Sequence, residues 1–144
     1  MADTFFHNII TVALQGGVDL DTDTMQVQLH TDSYTPSADH TQKSDLGATE
    51  VANGNGYTTG GDNVAITVSD DDANDGTTVD SADPAWTASG GSVGPFRYAV
   101  WIDDTHASDL LMYCFDYGSN QTANDGANVG VTVDANGLCY IRPA

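Results

Sequence analysis

Phe96-Arg97-Tyr98-Ala99-Val100-Trp101-Ile102 and Leu110-Leu111-Met112-Tyr113-Cys114-Phe115-Asp116-Tyr117 decide the fold of this chain. Both are nearly continuous apolar runs, rich in aromatic and β-branched residues and bounded by turn formers. Such runs belong at the centre of a sandwich, where both faces of a strand are covered. Residues 103–109 lie between them as a hairpin connection. Outward from this pair, Met25-Gln26-Val27-Gln28-Leu29-His30-Thr31 alternates, with Met25, Val27 and Leu29 on one face. Val64-Ala65-Ile66-Thr67-Val68 alternates in the same way. Residues 77–88 predict one or two short strands interrupted at Pro84. Val129-Gly130-Val131-Thr132-Val133 and Leu138-Cys139-Tyr140-Ile141 flank Asn136-Gly137, a strong hairpin signal. The expected fold is all-β: an antiparallel β-sandwich or jelly-roll-like barrel in a single domain over residues 1–144.

Composition points the same way. The chain has 144 residues and a formal net charge of −18, with 21 acids against Lys43, Arg97 and Arg142. Every acid except Glu50 is an aspartate. Aspartate, asparagine, glycine and threonine compete with helix through local backbone bonds, whereas glutamate tolerates it. One segment breaks the pattern. Phe5, Phe6, Ile9, Ile10 and Ala13 are spaced as on a helix, Asp3 or Thr4 offers an N-cap, and Gly16-Gly17 a stop. Residues 1–16 are therefore expected to form a short N-terminal helix or arm. Residues 32–63 are polar and turn-rich, and read as one long irregular loop.

The charge excludes whole classes of partner. Three cations cannot track a phosphate backbone, so nucleic acid is not expected, and an anionic membrane surface is excluded likewise. No run of about 18 apolar residues exists to span a bilayer as a helix. The N-terminus lacks a basic region and carries His7 and Asn8 in its apolar stretch, which does not describe a signal peptide. In a cytoplasmic setting Cys114 and Cys139 are expected to stay reduced, as small buried hydrophobes. The acidic surface serves docking, solubility or a saline habitat.

Few residues suggest chemistry. Asp70, Asp72 and Asn74 have the alternate spacing that opens a calcium loop, with Asp75 beside them. Asp75 then occupies the position of the required glycine, and Ser81 that of the closing glutamate. A solvated acidic turn is the plainer reading of 70–76. Asp19, Asp21 and Asp23 alternate too, as an exposed strand entry would. The four histidines show no zinc spacing, and Asp39-His40 and Thr105-His106 are neighbours that point apart. No nucleophile elbow or phosphate-cradling loop is present. No enzyme and no cofactor are expected. Trp101 reads as core, whereas Trp86, after Asp83-Pro84-Ala85, is placed where it can also meet a sugar.

Several separated stretches carry a resemblance. They include Gly17-Val18-Asp19-Leu20-Asp21-Thr22-Asp23-Thr24, Ser33-Tyr34-Thr35-Pro36 with Asp39-His40, and Ser44-Asp45-Leu46. Glu50-Val51, Gly54 to Thr58 with Gly60-Gly61, Asp83 to Trp86 and Arg97-Tyr98-Ala99-Val100 follow in order. Asp116-Tyr117-Gly118 and residues 131–138 complete the series. In this order they resemble small tailed-bacteriophage virion proteins that decorate or cement the capsid. The acidic insert at 70–76 and the scarcity of lysine depart from that family. The resemblance implies a structural protein made in the host cytoplasm and residing on the virion capsid surface. It would bind the major capsid protein and itself, as a homotrimer. Phe5, Phe6, Ile9 and Ile10, with Tyr34 and Tyr57 of the long loop, are then the expected interface residues. For the first four, an amphipathic helix covering the subunit's own sheet is the competing reading. The alternatives are a phage neck or tail subunit, or a small carbohydrate- or calcium-binding β-sandwich for host attachment.

Overall fold

Val93–Asp103 (β7) and Leu110–Ala123 (β8) pair antiparallel across the expected hairpin, with Trp101 opposite Tyr113 and Val100 opposite Cys114. The structure is a computed structural model and describes residues 3–143. Before this hairpin come Thr4–Phe5 (β1), the helix Asn8–Leu14 (α1), Met25–His30 (β2), Asp62–Val64 (β3), Ile66–Asp71 (β4), Gly76–Ser81 (β5) and Ala85–Thr87 (β6). Asn128–Gly130 (β9) and Cys139–Ile141 (β10) follow it. The fold is all-β and sandwich-like. A five-stranded sheet, β1-β8-β7-β2-β3, faces a three-stranded sheet, β10-β5-β4, and a two-stranded one, β6-β9. Every pairing is antiparallel, and the sheets stay open rather than closing into a barrel.

The large sheet is covered on both faces, which is why its central strands are apolar without interruption. On one face Met25, Val27, Leu29, Ala99 and Trp101 pack against Ile66, Val79, Trp86 and Val129 of the smaller sheets. On the other, Tyr98, Val100, Ile102 and Cys114 pack beneath Tyr34 and Leu46. Those two residues belong to the long irregular segment, which forms a roof rather than a free loop. Backbone bonds pin it, from Leu111 N–H to Thr41 O at 3.0 Å and from Lys43 N–H to Asp109 O at 2.8 Å. A 3-10 turn at Lys43–Leu46 carries Leu46 inward.

Three local expectations need correction. The helix begins at Asn8, with His7 as an N-cap that makes no side-chain bond. Thr4 and Phe5 instead extend the large sheet opposite Cys114 and Tyr113, and Asp3 accepts the Tyr113 hydroxyl at 2.8 Å and the Asp116 N–H at 2.9 Å. Pairing with the open edge of β8 outweighs another helical turn. Met1 and Ala2 of the expected segment lie outside the described residues. At its far end the helix does stop at Gly16, whose φ of 78° needs a glycine and whose N–H bonds Ala13 O.

The strand expected over 64–68 divides at Ala65. Val64 ends β3, beside β2, and Ile66 starts β4 in the facing layer, so the chain crosses the sandwich there. The last expected hairpin does not form. Gly137 N–H does close the turn onto Asp134 O at 2.7 Å. Its flanks part: Asn128–Gly130 joins β6 and Cys139–Ile141 joins β5, while Val131 is buried in the core.

Candidate docking site

The small sheet places the site because it outgrows the core beneath it. Ile66 pairs with Ser81, Val68 with Val79, and Asp70 with Thr77, so Ile66, Val68 and Asp70 share its inward face. At the Ile66 end that face is seated on the core, and Trp101 Nε1–H donates to Ser81 Oγ at 2.8 Å. Towards the turn it runs past the large sheet. Four large apolar side chains are exposed among the described residues: Leu14 at 84%, Ile141 at 43%, Val68 at 39% and Tyr140 at 37%. Three of them belong to this sheet, and Leu14 ends the helix whose Ala13 shares a groove with Val68.

That groove is open, about 740 Å³, and runs between β4, the connection from α1 to β2, and the turn between β7 and β8. Ala13, Val18, Leu20 and Val68 give it apolar walls, and Asp19, Asp21 and Asp23 line it with carboxylates. The connection is held in shape locally. Asp19 N–H bonds Asp23 Oδ2 at 2.8 Å, and Thr24 N–H bonds Thr105 Oγ1 at 2.7 Å. No lysine or arginine lines it. Arg97 is held by Asp116 in a two-pronged pair at 2.9 and 3.1 Å, and Lys43 sits in the roof over the opposite face of the large sheet. Arg142 lies beside the acidic hairpin tip, near Asp70, Asp72 and Asp75.

The residues singled out from sequence mostly lie elsewhere. Phe6, Ile9, Tyr34 and Tyr57 are buried within the subunit, and Phe5 and Ile10 are half-buried against the same core. None of the buried four presents a surface to a partner. Tyr57 has an internal role: its hydroxyl donates to Glu50 Oε1 at 2.8 Å and accepts the Leu29 N–H at 3.1 Å. Tyr34 packs edge-on to Tyr98 and shares a hydrogen bond of 3.0 Å with His40 Nδ1.

The calcium set is only partly brought together: Asp70, Asp72 and Asp75 line one open hollow, with Arg142 among them. Asp70 lies on β4, whereas Asp72, Asn74 and Asp75 lie in the turn beyond it. Asn74 turns its amide to Asp71 Oδ2 at 2.8 Å, and its carbonyl accepts the Tyr140 hydroxyl at 3.0 Å. Among the described residues no three histidine, cysteine or acidic side chains gather to hold a metal ion. Trp86 is buried against Tyr57, ring centroids 6.0 Å apart, so it offers no platform to a sugar.

Burial works against the charged forms of several titratable groups inside the fold. Burial pushes both the Cys114 and Cys139 thiols up, away from the nucleophilic thiolate. Burial and the charge of Lys43 push His30 down to about 4. Burial also raises the Asp103 carboxyl, although its Oδ1 accepts the N–H groups of Thr105 and His106 at 2.9 and 3.2 Å. These groups are dispersed and face no common cavity.

Sequence reasoning missed the groove because alternation puts Val68 with Ile66 on a face it takes to be buried. The signal was available in Val18 and Leu20, apolar residues alternating with Asp19 and Asp21 just after a helix end. No family model matches the chain, and neither curated proteins nor solved structures give a match.

Proposed function

We propose that this protein is a structural subunit of a bacteriophage particle. It binds the outer surface of the major capsid protein lattice as a homotrimer and stabilises the head by covering it. The observation that carries a binding role is that Val68, exposed on the edge strand β4, lines an acidic groove whose other wall includes Ala13, next to the exposed Leu14 that ends the helix. Exposed apolar side chains beside a groove on a strongly charged surface mark a contact site. The choice of partner rests on the ordered resemblance to capsid-decorating proteins. The doubly covered sheet suits the role, since a cement subunit transmits load and needs a stiff body more than a cleft.

The test is a binding assay on capsids of the phage that encodes the chain, with the subunit's mass in solution measured alongside. A trimer that saturates shells at micromolar concentration supports the proposal. A monomer that leaves them bare at that concentration overturns it.

A further inference from the structure

The geometry points to β4 as a strand-addition edge: we infer that an extended basic segment of the partner pairs with it as a fourth strand of the small sheet. This deepens the docking role proposed above and rests on that reading only for whose segment it is.

In the order β10-β5-β4, β4 has a partner on one side alone. Which of its backbone groups are free follows from the ladder. Ala82 N–H bonds Ala65 O at 2.9 Å, one step before the Ile66–Ser81 pair. Antiparallel ladders alternate bonded and non-bonded pairs. Thr67, Ser69 and Asp71 therefore point their N–H and C=O groups at β5, whereas Ile66, Val68 and Asp70 point theirs outward. Consistent with this, Ser81 N–H bonds Asp80 Oδ1 instead of β4. Among the described residues no other backbone group bonds that outer edge.

Such an edge invites an added strand, and native proteins protect it with proline, lysine or a covering loop. β4 has no proline and no lysine; its only charges, Asp70 and Asp71, stand at its turn end, and exposed Val68 lies at its middle. The groove beside it supplies the selectivity. An added strand would lie between β4 and the Asp19–Asp23 turn, where no lysine or arginine lines the groove; Arg142 stands beyond, beside Asp70 at the turn end. A second copy of this chain would bring its own Asp70, Asp71 and acidic tip against those carboxylates, a like-charge contact that disfavours self-pairing. The fitting occupant carries both basic and aliphatic residues on the one face it shares with Val68 and Asp70, since successive strand residues point to opposite faces. Its cations meet aspartates, its aliphatic side chains meet Val68 and Leu14, and its backbone meets β4.

The test uses the whole protein and a short peptide with lysine and valine taking turns at every second residue and threonine between, followed by NMR and amide exchange. Binding should slow exchange at Ile66, Val68 and Asp70 and weaken as salt rises. Val68→Pro removes an outward N–H but no bond to β5, as proline is tolerated on strand edges, and should weaken binding at least about tenfold. Should that variant fail to fold, a peptide N-methylated at alternate residues removes the same pairing from the other side and should lose as much. A lysine–glycine peptide of equal charge separates strand addition from charge alone. Equal affinity for all three peptides, or protection that maps away from β4, overturns the inference. Absence of the protein from phage particles would remove the capsid reading and leave this edge unaffected.

Discussion

The indole N–H of Trp101 donates to the hydroxyl of Ser81 at 2.8 Å, joining the centre of the large sheet to the root of the small one. Trp101 is fully buried and Ser81 nearly so, and the Ser81 hydroxyl in turn donates a hydrogen bond to Ala82 O at 2.8 Å. The relay fixes where the projecting hairpin leaves the body. Trp101→Phe removes the donor and opens a void where the second ring was. The expected loss is about 2–4 kcal/mol, from a missing buried hydrogen bond and incomplete repacking. Denaturant unfolding measures it, and a loss below about 1 kcal/mol would mean the two sheets are held chiefly by other contacts.

Tyr57→Phe tests the roots of the long segment. Its hydroxyl serves Glu50 and Leu29, and Glu50 Oε1 also accepts the Gly60 N–H at 2.6 Å. Without the hydroxyl, the Leu29 N–H has no partner and Glu50 keeps one fewer. A loss of about 1–3 kcal/mol is expected. Faster amide exchange at Leu29 and Gly60, with Trp101 unaffected, is the local signature.

Acid should weaken the fold before its carboxylates are protonated. His30 is buried, shares a 3.0 Å hydrogen bond with Thr49 Oγ1, and is held neutral with its pKa lowered from 6.5 to about 4. The unfolded chain takes up that proton first, so stability falls as pH drops from about 6.5 to 4 and levels below. The amount is of order 3 kcal/mol. Asp103, held above the ordinary carboxylate range, acts in the opposite sense as it protonates. Asp45 and Asp116, held low by backbone N–H groups and by Arg97 respectively, lose their contributions only below that window. Unfolding curves across pH for the protein and for His30→Gln isolate the histidine, and parallel curves would contradict this assignment.

Calcium and magnesium at equal concentration should raise the melting temperature equally. Both screen a chain of charge −18, and valence alone sets that effect. A rise with calcium only, abolished by Asp72→Asn, would restore the ion loop that the Asn74–Asp71 bond argues against.

The central strands were legible because burial on both faces left Phe96 to Ile102 and Leu110 to Tyr117 no polar phase to confuse. What could not be read was allegiance. Asn136-Gly137 specifies a turn from its own backbone, but nothing local says that the strands beside it join different sheets. Ala65 breaks a clean alternation because the chain changes layers there. Tyr34 and Tyr57 sit among turn residues, which suggested a loop free to meet a partner. The second face of the large sheet claimed Tyr34 and Leu46 instead, and the first face, beside Trp86, claimed Tyr57. The groove depends on how far β4 and β5 overshoot the core, a property of the assembled layers that no short window of sequence contains.

Electron cryo-microscopy of the phage particle, with copy number read from the map, tests the central claim most directly. The account predicts three-fold clusters over the capsid lattice, in contact through Leu14, Val68 and the outer edge of β4. A ring of few copies at the tail vertex, or no copies on the particle, would contradict it.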